Sequence, residues 1–177
     1  MIKEATASTF VWCEIGGRWR LGLIEHPRLK LAMLAGGHVE ADESPAEAAV
    51  REAREETGRD VRLLSWPSLA LPSGYPYPAV AQPWWTNELL VPADNHVDEP
   101  HVHIDHQFLA VAHGAEQVSQ PAHPFGWYSA EDLDRIDMVS DTRMLARMLF
   151  PMIADIIAAA ESGPADLLRV ISGVGVR

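Results

Sequence analysis

The stretch Ser44 to Gly58, SPAEAAVREAREETG, is a helix with both ends marked, and it limits what can be built around it. SPAE matches a capping box through Ser44 and Glu47, Pro45 takes the first helical position, and Gly58 supplies a C-terminal glycine. Residues on a helix turn by about 100° each, so with Glu52 at zero Glu56 falls at about 40° and Glu55 at about 300°. Ala49, Ala53, Ala46 and Val50 fall between about 60° and 160°, the stripe expected to bury against a sheet. Three carboxylates therefore border the buried stripe instead of opposing it.

Like charges one helical turn apart, such as Glu52 and Glu56, repel, and a solvated face gains nothing from the arrangement. A hard divalent cation removes the repulsion, and several carboxylate oxygens on one face are the usual ligands of Mg²⁺ or Mn²⁺. Arg51, at about 260°, lies one turn before Glu55 and can pair with it or orient a neighbouring carboxylate. The plain alternative is a solvated helix with pairs such as Glu47 with Arg51. Helix geometry by itself leaves the two readings level.

Around this helix the chain reads as short strands. TFVWCEI and RWRLGLIEH flank the Gly16-Gly17 turn as a hairpin, and LAML (residues 31 to 34) continues to a loop at Gly36-Gly37. DVRLLSW leaves the helix as a strand. Five prolines between Trp66 and Trp85 preclude a continuous helix or central strand, so 66–85 reads as a long loop or lid. NELLV and HVHIDHQFLAVA follow as strands, WYSAEDL opens a helical region, and residues 142–161 form a helix with a kink at Pro151 and an end at Gly163. Strands with hairpins and a few helices predict an α/β or α+β fold with a mixed sheet, in one domain over 1–177.

Charge and cysteine content limit the partners. Lys+Arg of 14 against Asp+Glu of 25 gives a net charge of −11, which excludes binding of a nucleic acid polymer through a general basic surface. The single Cys13 cannot form an internal disulfide, fits a reducing compartment, and is expected to pack in a strand. The N-terminus lacks a secretory pattern, and MLFPMIADIIAAA carries Pro151 and Asp155 and is too short to span a bilayer, so a cytoplasmic location without membrane attachment is expected. A homodimer remains open.

The full spacing then resembles the Nudix box, GX5EX7REUXEEXGU, in which U is a bulky aliphatic residue. Gly37 is followed by Glu43, Arg51-Glu52, Glu55-Glu56 and Gly58 in register, with Ala53 and Arg59 at the two aliphatic positions. GLIEHPRLKLAMLAGGHVE is similar to the strand and loop that precede the box, with Ala35 where a proline is frequent, and GWYSAEDL is similar to a Trp-containing segment before the last helix. The resemblance implies an α/β/α sandwich that hydrolyses a diphosphate linked to another moiety, often a nucleoside, with Mg²⁺ or Mn²⁺. It implies metal ligation by Glu52, Glu55, Glu56 and the Gly36 carbonyl, water activation by Glu52 or Glu56, orientation of the set by Arg51, and support from Glu43.

Outside the box, alternation puts His101, His103 and Asp105 of HVHID on one strand face, either as a wall of the substrate or metal site or as a polar face bonded to loops. A tetrahedral zinc site from His96, His101, His103 and His106 is disfavoured, because His106 points to the opposite face. Trp84 and Trp85, with Tyr75 and Tyr77, are candidates to stack a substrate base, although such residues more often pack in a core or lid. Glu88, Glu99 and Glu131 are candidate additional carboxylates. Two other readings compete with a nucleotide hydrolase. A non-catalytic sensor or interaction domain is disfavoured by the intact glutamates, and an isopentenyl diphosphate isomerase needs a catalytic cysteine and a degenerate box.

Overall fold

Strand β1 (Lys3–Ile15) organises the sheet, and the structure, a computed structural model, describes residues 1–173. β1 pairs antiparallel with β2 (Arg18–Glu25) across the expected tight turn and parallel with β7 (His101–Ala112). β3 (Ala32–Met33) extends β2, and β4 (Ala35–His38) pairs with β1. β5 (Val61–Leu64) and β6 (Trp85–Val91) both pair with β7, and β8 (Phe125–Tyr128) pairs with β2. Among the described residues these eight strands form one mixed sheet.

Alternation along β1 and β7 gives the sheet two buried faces. Ala7, Val11 and Cys13, with Phe108 and Ala110, cover one face and meet the alanines of helix α1 (Pro45–Thr57). Phe10, Trp12 and Leu109 cover the other, against α2 (Ser140–Leu149) and α3 (Ile153–Ser162), with α4 (Pro164–Ser172) packed on α3. The result is an α/β/α sandwich. No helix among the described residues is long and apolar enough to cross a membrane.

Three expectations need correction. Gly36 and Gly37 lie in β4, not in a loop. FGWY forms strand β8, and the region after it holds only a short 3-10 turn at Asp132–Asp134. The single helix over 142–161 is two helices broken at 150–152, because Pro151 cannot donate a backbone bond and its ring obstructs the preceding turn. Gly163 ends α3 as expected, but Pro164 then starts α4 in the helix-opening position proline favours.

Helix α1 matches its expected bounds and both caps. Ser44 Oγ accepts the Glu47 N–H at 3.3 Å while Glu47 Oε2 accepts the Ser44 N–H at 2.8 Å. Gly58 adopts φ 70° and donates to the Arg54 carbonyl. The buried stripe is shifted: Ala48 is fully buried and Val50 is 38% exposed, which puts Glu52 and Glu56 inside the covered face.

Candidate active site

The box residues converge where α1 crosses the sheet. β1 leaves β4 at Thr9 and takes up β2 at Val11, and α1 contacts both β4 and β2 across this division. Arg51 is the hub of the first layer. Its guanidinium donates to both Glu43 carboxylate oxygens, at 2.6 and 3.0 Å, to Glu52 Oε1 at 2.6 Å, to Glu55 Oε2 at 3.4 Å and to the His38 carbonyl at 3.1 Å. The planar fork of arginine suits this paired reception, and its bonds hold the Glu43 carboxyl below the usual range.

The two glycines of β4 each serve one glutamate. A Cβ on Gly37 would overlap the Glu52 carboxylate, so that carboxylate lies directly on the bare backbone. Gly36 donates its N–H to Glu56 Oε2 at 2.8 Å. In an extended strand the N–H and C=O of one residue share an edge, so the Gly36 carbonyl lies on the edge that faces α1. Gly37→Ala is therefore expected to push Glu52 aside, with little loss of stability because the displaced group is the end of a flexible side chain. The expected loss in kcat is tenfold or more on the order of a misplaced catalytic group, and steady-state kinetics beside a thermal melt separates the two effects.

Glu56 is the most perturbed of the carboxylates. Burial is the main cause, and with the charges of Glu52 and Glu55 it outweighs the Gly36 bond and pushes the Glu56 carboxyl up to about 7. Its Oε1 lies 3.2 Å from His123 Nε2, and among the described residues no Arg or Lys pairs with it. The folded chain thus holds a proton that the unfolded chain, with an ordinary value of 4.5, has already released. Without metal, stability is expected to fall as pH rises from about 4.5 to about 7, by roughly 3 kcal/mol. Denaturant melts in a chelator across this window should show the slope, and Glu56→Gln should flatten it.

A hard cation fits this donor set. Glu52 and Glu56 are largely covered, at 14% and 13% side-chain exposure, with carboxylate and carbonyl oxygens on offer and a carboxylate whose charge is unsatisfied. Glu55, at 57% exposure, stands on the solvent side of the same helix turn.

Glu56 opens onto a cavity of about 440 Å³ on the α2 side of the sheet. Asp105 and His103 line it, with apolar groups that include Leu34 and Leu89. Asp105 is buried and accepts from Thr6 Oγ1 at 3.0 Å and Ser8 Oγ at 2.7 Å, so β1 fixes it in place. The strand-face reading thus brings His103 and Asp105 to the cavity, but His101 is fully buried behind it and cannot meet a substrate there. His106 lies on the opposite face, as alternation requires, with Nδ1 at 3.1 Å from the Thr6 carbonyl.

The tryptophans do not reach the cavity. Trp84 is in the core, with Nε1 donating to the Leu64 carbonyl at 2.5 Å and its ring edge-on to Trp66. Trp85 packs on Phe10 at 6.2 Å between ring centroids. A sheet that must be covered at the end of β6 claims both rings. Tyr75 and Tyr77 lie exposed in the proline-rich loop, and Glu88, Glu99 and Glu131 are likewise outside the cavity lining.

His123 is the residue that sequence reasoning missed, and the connection before β8 carries it. The end of α1 anchors that connection: the Glu55 carbonyl accepts from Ala122, and the Gly58 carbonyl from Val118 and Ser119. A Cβ on Gly58 would strike the Ser119 carbonyl, so only glycine fits. Arg59, at an aliphatic position of the box, donates Nε to the Ala115 carbonyl at 3.0 Å and stacks over Phe125 at 4.0 Å. The departure from the box pattern therefore adds an anchor for the connection that bears His123.

The sequence model for the NUDIX domain matches residues 11–148. A crystal structure of a NUDIX-family hydrolase from Clostridium perfringens superposes with TM-score 0.65, 23% identity, 86% of this chain and 99% of that one. The Ap4A hydrolase of C. elegans superposes with TM-score 0.55, 17% identity, 82% of this chain and 95% of that one. At these identities the likeness speaks for the fold. A "Probable DHNTP pyrophosphohydrolase" of Lactococcus lactis subsp. cremoris is 54% identical over 39 residues, which span 22% of this chain and 24% of the relative. With the box glutamates gathered at the edge of β4 and the domain model matching residues 11–148, the chain belongs to the NUDIX family of hydrolases.

Proposed function

We propose that the protein hydrolyses a diphosphate linkage in a nucleoside diphosphate derivative, with Mg²⁺ or Mn²⁺ as cofactor. The observation that carries this reading is the covered Glu52–Glu56 pair at the Gly36 edge, with Glu56 facing a cavity large enough for a nucleotide. Of the four expected ligands, Glu52, Glu55 and the Gly36 carbonyl would hold the cation, and Glu56 serves the attacking water instead. When bound, the cation supplies neutralisation of phosphoryl charge that an acidic protein cannot offer with its own side chains.

The remaining work falls to the chain's own residues. Glu56 lines the cavity while Glu52 does not, and with its Oε2 occupied by the Gly36 N–H its Oε1 is assigned the proton of the attacking water. His123 Nε2, 3.2 Å from that oxygen, is positioned to pass the proton on. Arg51 and Glu43 hold the Glu52 carboxylate against β4, and Asp105, braced by Thr6 and Ser8, shapes the cavity wall.

DHNTP and Ap4A are named for relatives and belong to those proteins; with a nucleoside triphosphate, ADP-ribose and a nucleotide sugar they make up the panel to try. Incubation with Mg²⁺ or Mn²⁺ and identification of products by mass should give a phosphate-bearing product pair for at least one member. The pair also identifies the phosphorus attacked. Absence of turnover across the whole panel would sink the assignment.

A further inference from the structure

At the cavity wall, which His38 and His103 help to line, three imidazoles and a carboxylate from three strands point at one spot. Glu4 comes from β1, His38 from β4, and His101 and His103 from β7. We propose that Glu4, His38, His101 and His103 form a second metal site, distinct from the box, that takes a zinc-class transition ion.

Three edges of the cluster have the length a tetrahedron requires. Metal bonds of about 2.0–2.1 Å require ligand atoms about 3.3 Å apart. His101 Nε2 is 3.1 Å from His103 Nε2 and 3.3 Å from Glu4 Oε2, and His38 Nε2 is 3.2 Å from Glu4 Oε2. All four ligand atoms fall within 4.8 Å of one another. His101 Nδ1 donates to the Glu99 carbonyl at 3.0 Å, which directs the bare Nε2 lone pair of the neutral ring at the cluster, the support that ligating histidines commonly receive.

Charge and ligand type agree. Three imidazoles select a borderline ion over Mg²⁺, which prefers the oxygen ligands of the box. A second carboxylate, Asp94, brings Oδ2 to 3.6 Å from His101, 3.7 Å from His103 and 4.0 Å from His38, so it borders the cluster from the side of the 92–100 connection. The His96 and Val97 N–H groups hold its other oxygen, so the 92–100 connection is folded over the cluster. Glu4 and Asp94 together balance a divalent charge. Four protein ligands leave no open position, the pattern of a structural site. The site fastens β1, β4 and β7 together, and His38, which follows Gly37, also gives its carbonyl to Arg51. Of the zinc set that the sequence disfavoured, His101 and His103 remain, and His38 and Glu4 stand in place of His96 and His106, a set that no local sequence pattern joins.

The test uses the full chain carrying Glu52→Gln and Glu56→Gln, stripped with chelator and titrated with Co²⁺ in excess Mg²⁺. One equivalent should bind with the strong visible absorption of tetrahedral cobalt and be displaced by Zn²⁺, and Zn²⁺ should raise the melting temperature by roughly 5 °C. His38→Ala and His103→Ala should each abolish the band. Glu4→Gln, at a partly exposed position, repeats the test should either histidine variant fail to fold by circular dichroism. Weak octahedral absorption only, or a tetrahedral band that survives in the folded variants, would overturn the site. Hydrolysis by the otherwise unaltered chain plays no part in this readout, so its outcome is separate from the proposed activity.

Discussion

Glu56→Gln is expected to lower kcat about 10³-fold, with a small change in KM and no loss of fold. The substitution keeps an oxygen to accept the Gly36 N–H and removes the oxygen that faces His123 and takes a proton. It also removes a carboxylate that burial has pushed up to about 7, so the metal-free variant should be at least as stable as the parent at neutral pH. Kinetics and a melt on one preparation test both statements. A variant within about threefold of the parent would remove Glu56 from the proton transfer.

Arg51→Met is expected to damage stability and activity together. The change leaves Glu43 and Glu52, at 12% and 14% side-chain exposure, without their cation and leaves the His38 carbonyl without its donor. A broken, largely covered ion pair costs about 3 kcal/mol, and a loose Glu52 should cost about 10²-fold in kcat. Arg51→Lys restores charge at one point but not the fork that bridges Glu43 and Glu52, so it should recover part of the stability and little of the activity. Equal recovery of both by lysine would mean that Arg51 contributes only charge.

The features legible in the sequence were those that local chemistry writes. Helix α1 was readable end to end because Ser44, Pro45, Glu47 and Gly58 act within the segment they bound. The β1–β2 hairpin was readable because Gly16-Gly17 separates two apolar runs. The limits appeared where distant packing decides. Strand β8 has four residues, too few for alternation to register, and exists because β2 offers it an edge. Val50 falls on the apolar stripe yet stays exposed, since the crossing of α1 over β4 buries Ala48 instead.

The same division holds for the site. Glu52, Glu55 and Glu56 share a helix, so spacing alone groups them. His123 reaches Glu56 through a connection tied down by carbonyls at the end of α1, and no spacing rule relates the two. His101 and His103 were correctly set on one face, but their burial depends on the 92–100 connection that brings Asp94 over them. For Trp84 and Trp85 the sequence favoured packing over a base platform, and packing took them, Trp84 in the core and Trp85 against it.

The most direct test of the central claim is turnover of the nucleotide panel by the parent chain and by the Glu52→Gln, Glu56→Gln double variant, each with Mg²⁺ and with chelator, at matched concentrations of folded protein. Cleavage by the parent with Mg²⁺ alone, and a loss of about 10³-fold or more in the double variant, is the predicted result. Full activity in the double variant, or equal cleavage in chelator, would contradict it.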